Sequence, residues 1–139
     1  MAFFHLLQSS PLSWAIVCLV LGLMMGSFLN VVILRLPKML EREWLMQCAE
    51  LKGETLPPAP RFNLIVPGSA CPACGKPVAA LENIPVLSYL WLRGKCSGCH
   101  SRIASRYPLV EALTGLISAG IAWHFGFNTA AFAALVFAW

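Results

Sequence analysis

From Leu12 to Leu34 the chain offers 23 consecutive residues without a charged side chain, and only Ser13, Ser27 and Asn30 among them are strongly polar. About 20 such residues in a helix cross a hydrocarbon core of roughly 30 Å. A cleaved signal peptide wants a basic leader and a shorter apolar run. Here the first basic residue, Arg35, follows the run instead. The pattern predicts a first membrane-spanning helix within residues 1–36. A second apolar stretch runs from Pro108 to Phe127, with Glu111 near one end and Trp123 and His124 near the other. Amphipathic rings concentrate at membrane interfaces, so His124 reads as an interfacial residue and the second span as residues 107–127. Residues 128–139 begin a third apolar helix, but at about 1.5 Å per residue it reaches only roughly 18 Å. A truncated third membrane helix is therefore expected.

Between the spans, residues 37–106 are hydrophilic. The Leu36-Pro37 step predicts the end of the first helix, because the residue before a proline disfavours the helical region. From Lys38 to Glu54, apolar Met39, Leu40, Trp44, Leu45, Cys48 and Leu51 alternate with charges. This suits a separate amphipathic helix along the membrane surface, or a helix packed on the domain that follows. Pro57-Pro58-Ala59-Pro60 reads as a stiff linker. Within the first span, Gly22 and Gly26 have the small-xxx-small spacing of closely packed membrane helices, a spacing that also arises by chance. Asn30 lies one turn further on, and together with Ser27 suits a face packed against protein rather than lipid. The alternative is a polar pair satisfied by its own helix backbone, more so for Ser27 than for Asn30.

The composition sharpens this partition. Apolar residues make up 58% of the chain and charged ones only 12%, against about 25% charged in soluble domains. Disorder is excluded by the same numbers. Every charged side chain falls between Arg35 and Glu111. Arg35, Lys38 and Arg42 follow the first span, while Arg93, Lys95, Arg102 and Arg106 precede the second. Basic residues flanking spans are retained in the cytoplasm, which predicts a cytoplasmic loop and an outward N-terminus. Ten basic and five acidic residues spread over the 72 positions from Arg35 to Arg106 lack the concentrated basic face that nucleic-acid binding requires.

The strongest chemical signal is Cys71-Pro-Ala-Cys74 followed by Cys96-Ser-Gly-Cys99, with 21 residues between the pairs. Two Cys-x-x-Cys turns at this separation match a four-cysteine zinc ribbon, each turn aiming two thiolates at one point. Gly75 and Gly98 are placed to supply the backbone conformations such turns use. A reducing cytoplasm disfavours disulfides; structural zinc leads, with disulfide or redox chemistry and iron as alternatives. A closed four-thiolate site has no open position for substrate, so the metal would fold the loop rather than catalyse. His100 matters only if one cysteine is not a ligand, and isolated Cys18 and Cys48 read as apolar fillers. The segment Val86, Leu87, Tyr89, Leu90, Trp91 and Leu92 is more apolar than a ribbon needs, and predicts a strand or short helix packing the ribbon onto the membrane helices. The whole reads as an α-helical multi-pass membrane protein with a cytoplasmic, four-cysteine, zinc-ribbon-like loop.

Taken in order, Gly26-Ser-Phe-Leu-Asn-Val-Val-Ile-Leu-Arg-Leu-Pro37, the two cysteine pairs, Glu82-Asn-Ile-Pro85 with Ser88-Tyr89, Arg93-Gly-Lys-Cys96 and Arg106-Tyr-Pro-Leu-Val-Glu-Ala-Leu-Thr114 form a specific set. In these blocks the chain resembles the N-terminal part of the type IV prepilin peptidase family. The resemblance implies a bacterial inner-membrane enzyme that cleaves the leader of type IV prepilins and pseudopilins, then N-methylates the new terminus with S-adenosylmethionine. It also implies an aspartic protease whose two aspartates lie downstream. All six acidic residues here are glutamates, so no proteolytic residue can be carried over and the 139 residues alone are not a protease. No glycine-rich dinucleotide fingerprint follows a strand, so the location of S-adenosylmethionine is open. Glu82, Asn83, Arg93 and Lys95 are candidates for cofactor or substrate contact, with capping and interface charge as their ordinary alternative roles. The competing reading of the chain is a membrane-tethered zinc-ribbon adaptor without enzymatic activity.

Overall fold

A computed structural model describes residues 2–54 and 60–139, and most of the Pro57–Pro60 linker lies outside them. Helix α1 (Ala2–Ser9) is followed at once by α2 (Pro11–Lys52). The break within the expected first unit has a local cause. Ser10 precedes a proline and sits at φ −125°, ψ 105°, where its hydroxyl accepts the Ser13 backbone N–H. That is an N-cap with proline in the first turn, which starts a helix well and continues one badly.

The expected stop at Leu36-Pro37 does not occur. Helix α2 runs through Pro37 for 42 residues and ends at Gly53, whose φ of 69° lets its N–H reach back to the last carbonyls. An internal proline removes one hydrogen bond and costs a helix about 3 kcal/mol. Downstream, Lys38 to Lys52 is composed almost wholly of strong helix formers, which carry the helix past the defect. The segment read as a separate amphipathic helix is thus the far end of α2. Its Trp44, Leu45, Met46 and Leu51 are exposed. Among the described residues, α2 is the one helix long and apolar enough to cross a membrane.

Helix α4 (Arg106–Phe125) packs along α2. Small residues set the separation: a Cβ on Gly26 would lie 2.6 Å from the Glu111 Cα, and one on Gly22 would meet the Ser118 hydroxyl and stand 2.7 Å from the Thr114 carbonyl oxygen. The Gly22/Gly26 spacing therefore marks a helix-packing face, as close backbone approach demands. The hydroxyls of Thr114 and Ser118 donate to the Val110 and Thr114 carbonyls of their own helix, at 2.8 and 2.7 Å. No buried polar side-chain atom among the described residues is left without a partner.

Asn128 caps the last helix, α5 (Thr129–Ala138), by accepting the Ala131 N–H. It folds back on the far end of the α2/α4 pair. There Trp14, Cys18, Ala122, Ala131 and Leu135 form the buried core, with Phe127 edge-on to Trp14 at a centroid separation of 4.9 Å. The indoles of Trp14 and Trp139 donate to the Gly126 carbonyl and the Ser118 hydroxyl.

Candidate functional site: a four-cysteine centre and its neighbouring cavity

At the opposite end of the helix pair, the chain builds the same turn twice, 25 positions apart. In the first, the Cys71 N–H donates to the Lys76 carbonyl, and the Gly75 N–H to the Cys71 carbonyl. In the second, Cys96 and His100 donate to the Ser101 and Cys96 carbonyls in the same pattern. Short antiparallel bridges, Ala70 with Pro77 and Lys95 with Arg102, close the two turns. Gly75 takes the left-handed position of the first turn at φ 72°, as its lack of a Cβ allows. In the second that position belongs to His100, at φ 56°, rather than to Gly98. Gly98 is needed for space instead, since a Cβ there would lie 2.9 Å from the Lys76 Cδ.

The two turns bring the Sγ atoms of Cys71, Cys74, Cys96 and Cys99 within 4.8 Å of one another. Across the pairs, Cys71 lies 3.8 Å from Cys99 and Cys74 lies 4.0 Å from Cys96. A tetrahedron with metal–sulfur bonds of about 2.3 Å has edges of about 3.8 Å, so four thiolates in this arrangement can hold one metal ion. All four are free thiols rather than disulfides. Cys18 and Cys48 lie apart from them, the first buried between helices and the second exposed on α2. His100 is exposed and contributes no nitrogen to the cluster.

The surroundings prepare some of these thiols for ionisation. Ser101, with backbone N–H groups of Cys74 and Ala73, lowers the Cys71 thiol from 9.0 to about 6. The same hydroxyl, 3.1 Å from Cys99, draws that thiol down too. At Cys74 the Lys76 backbone N–H lowers the thiol, but hydrogen bonding with Cys99, burial and the other thiols outweigh it and raise the group from 9.0 to about 11. Without a cation at the centre, the cluster therefore shares protons rather than releasing them all.

Between the turns lie a 3-10 helix (Ala80–Asn83) and α3 (Leu87–Trp91), the second being the short helix, one of the two forms expected there. Glu82 accepts the Ala79 N–H at 3.1 Å and lies 3.7 Å from the Lys76 ammonium, while Lys76 donates to Ser97. These contacts hold the first turn against the second. Ser97, then the Ala79 N–H and then Lys76 keep the Glu82 carboxyl below its ordinary range. The apolar side chains of α3 do not fasten the loop to the helices as expected: Leu87, Leu90 and Trp91 are exposed, and only Val86, Tyr89 and Leu92 are partly covered. Five residues make little more than one turn of helix, which cannot turn all its apolar positions inward.

Polar contacts join the two helices to each other and, through Glu111 and Arg35, to the loop. Asn30, buried on α2, donates through Nδ2 to the Tyr107 carbonyl at 3.0 Å. Glu111, buried on α4, accepts the Val86 N–H at 2.7 Å. Arg35 donates to the Asn63 carbonyl at 3.0 Å. Together α2, α4 and the cysteine loop enclose a cavity of about 450 Å³, whose wall includes Ser27, Asn30, Glu82, Asn83, Tyr89 and Glu111. Of the loop residues singled out by sequence, Glu82 and Asn83 face this cavity. Arg93 and Lys95 line a separate hollow with Tyr89 and Arg102. Two features of the sequence point to Glu111, a carboxylate followed immediately by an uncharged helix and its place in the Arg106–Thr114 block, and neither gives it a role at the site.

These residues lie inside a match to a known family. The model of the bacterial peptidase A24 N-terminal domain matches residues 20–125. The chain belongs to this family. It is 51% identical over 134 residues to the prepilin leader peptidase/N-methyltransferase of Pseudomonas aeruginosa, covering 96% of this chain and 46% of that protein. The protein of the same name from Stutzerimonas stutzeri is 52% identical with the same coverage. That from Aeromonas hydrophila is 51% identical over 123 residues, 85% of this chain and 41% of that protein. The chain thus spans about half the length of the curated relatives it matches. No solved structure matches it.

Proposed function

We propose that this chain is the N-terminal portion of a prepilin leader peptidase/N-methyltransferase, and that Cys71, Cys74, Cys96 and Cys99 bind one structural zinc ion that folds its cytoplasmic loop. The observation that carries the reading is the convergence of four thiols, at tetrahedral spacing, inside a segment that aligns over most of its length with relatives of that name. Thiolates suit zinc, and a closed set of four leaves no position for a substrate. Zinc therefore supplies folding energy here, and this chain's own residues do the positioning. The two turns fix the thiols, Lys76 and Glu82 lock one turn to the other, Asn30 ties α2 to α4, and Glu111 sets the loop against the helices.

In this reading α2 is the first span of a multi-pass bacterial inner-membrane protein, and α4, which Glu111 and His124 make less apolar than the Leu12–Leu34 stretch of α2, spans with it by packing along it. Exposed Ile16, Val20, Met24 and Phe28 on α2 and Leu109, Leu113, Leu116 and Ile117 on α4 suit a lipid surface. The basic residues at the loop ends favour a cytoplasmic loop, where it would receive the basic leader of a prepilin or pseudopilin substrate. The proteolytic acids of an aspartic peptidase would be a carboxylate pair, one activating water and the other holding the shared proton. With no aspartate among these 139 residues, that pair belongs to the rest of the enzyme. N-methylation of the cleaved product draws on S-adenosylmethionine.

The test is the intact mass and activity of the protein from its native membrane. The reading expects a mass well above 15.2 kDa, leader cleavage, and zinc lost together with loop protease resistance in Cys71→Ser. A mass of 15.2 kDa without cleavage would overturn it in favour of the membrane-tethered zinc-ribbon adaptor.

A further inference from the structure

The cavity between α2, α4 and the loop is lined by Glu111 and Asn30, two residues of low exposure that each have a side-chain oxygen open to it and unused among the described residues. Glu111 is 9% exposed and Asn30 6%. Among the described residues, Glu111 uses Oε2 alone, to accept the Val86 N–H, and Asn30 uses Nδ2 alone, to donate to the Tyr107 carbonyl. Each therefore keeps one acceptor oxygen for the cavity whose wall both residues form. No cationic side chain neutralises Glu111: the one ion pair among the described residues joins Lys76 to Glu82. A buried carboxylate without a cation is costly, and a ligand that brings one relieves the cost. The lining also includes Arg35 and Arg102, so a ligand with a carboxylate of its own meets positive charge there. At about 450 Å³ the space falls within the roughly 300–1,000 Å³ of small-molecule sites.

We infer that this cavity seats the methyl donor, with Glu111 as counter-ion to the sulfonium of S-adenosylmethionine and the lining arginines facing its carboxylate. The ligand class rests on the N-methyltransferase reading above; the place and the counter-ion come from the geometry. The reaction fits the charge pattern. The lone pair of the acceptor amine forms the new N–C bond as the C–S bond breaks. That bond's electron pair stays on sulfur, which becomes a neutral thioether, and the amine proton leaves to water. The product S-adenosylhomocysteine thus loses the charge that Glu111 holds and is released more readily than the donor is.

Calorimetric titration of the zinc-loaded protein, purified from its native membrane, tests this with two ligands and two variants. Glu111→Gln keeps an acceptor for the Val86 N–H but removes the charge. It is expected to weaken S-adenosylmethionine about tenfold or more, the effect of removing one partner of a buried ion pair, with little effect on S-adenosylhomocysteine. Val31→Trp, which fills the cavity from α2, is expected to abolish binding of both. Zinc content and loop protease resistance report whether each variant folds. Equal donor affinity in wild type and Glu111→Gln would overturn the counter-ion. So would an equal loss for both ligands, and wild-type affinity in Val31→Trp would overturn the location. In each of those cases the methyltransferase reading survives, because the wild type still binds the donor. A wild type that binds neither ligand would remove that reading and this inference together.

Discussion

Glu111 on α4 reaches across 25 positions of sequence to accept the Val86 backbone N–H at 2.7 Å, and Val86 is a β-branched residue at φ 59° and ψ −47°. Side chains rarely adopt that backbone region, and doing so costs on the order of 1–3 kcal/mol. The hydrogen bond holds the strained residue where α3 begins, so α4 dictates where that helix starts. Replacing Glu111 by Leu leaves the buried N–H without an acceptor, and should destabilise the loop by about 1–3 kcal/mol. Glu111→Gln should lose clearly less. Limited proteolysis between the cysteine pairs, run in parallel on the two variants, reads the difference.

The approach of α2 to α4 gives a second expectation. A Cβ at Gly26 would stand 2.6 Å from a backbone atom of Glu111, which cannot swing aside. Gly26→Ala should therefore force the helices apart and cost about 1–3 kcal/mol. Gly120 has nothing within 4 Å of its would-be Cβ. Gly120→Ala should hold or raise stability through better helix propensity. Thermal melting of both variants in the same detergent compares them directly.

The metal-free thiols should titrate far apart. A lowered group ionises early on rising pH, so Cys71 should become alkylated from about pH 6 upward, and Cys74 should resist until about pH 11. Ser101→Ala removes the largest cause and should move the Cys71 midpoint back toward 9.0. Mass spectrometry of iodoacetamide-treated, chelator-stripped protein across that range gives both midpoints. Metal bound at the centre should block both reactions.

Asn30 offers a further check. Its Nδ2 ties α2 to the Tyr107 carbonyl at the start of α4. Asn30→Asp keeps the shape but presents an acceptor to an acceptor, whereas Asn30→Leu removes both polar atoms. Hydrogen exchange at the first turn of α4 should rise more in Asn30→Asp than in Asn30→Leu, because a buried, unpaired polar group costs more than its absence.

What can be read from the residues alone divides by distance along the chain. The cysteine turns are local, each closed within six positions, and their spacing is sufficient to bring four thiols together. The first long apolar helix and the glycine face are legible for the same reason, being periodic. Pro37 misleads because its penalty, one lost hydrogen bond, is outweighed by fifteen downstream residues that nearly all favour helix. The apolar residues of α3 mislead because hydrophobicity does not say what covers a side chain, and Trp91 stays 87% exposed. Glu111 is hidden because its partner Val86 lies in a loop whose path only tertiary structure fixes. His100 takes the left-handed position expected of Gly98 because the two turns repeat in backbone but not in sequence.

The most direct test of a structural zinc centre is X-ray absorption at the zinc edge, on protein purified from its native membrane without added metal. We expect one zinc per chain with four sulfur neighbours at about 2.3 Å, and loss of that shell in Cys96→Ser. A shell containing nitrogen or oxygen, a different metal, or a Cys71–Cys99 disulfide in place of any metal would contradict it.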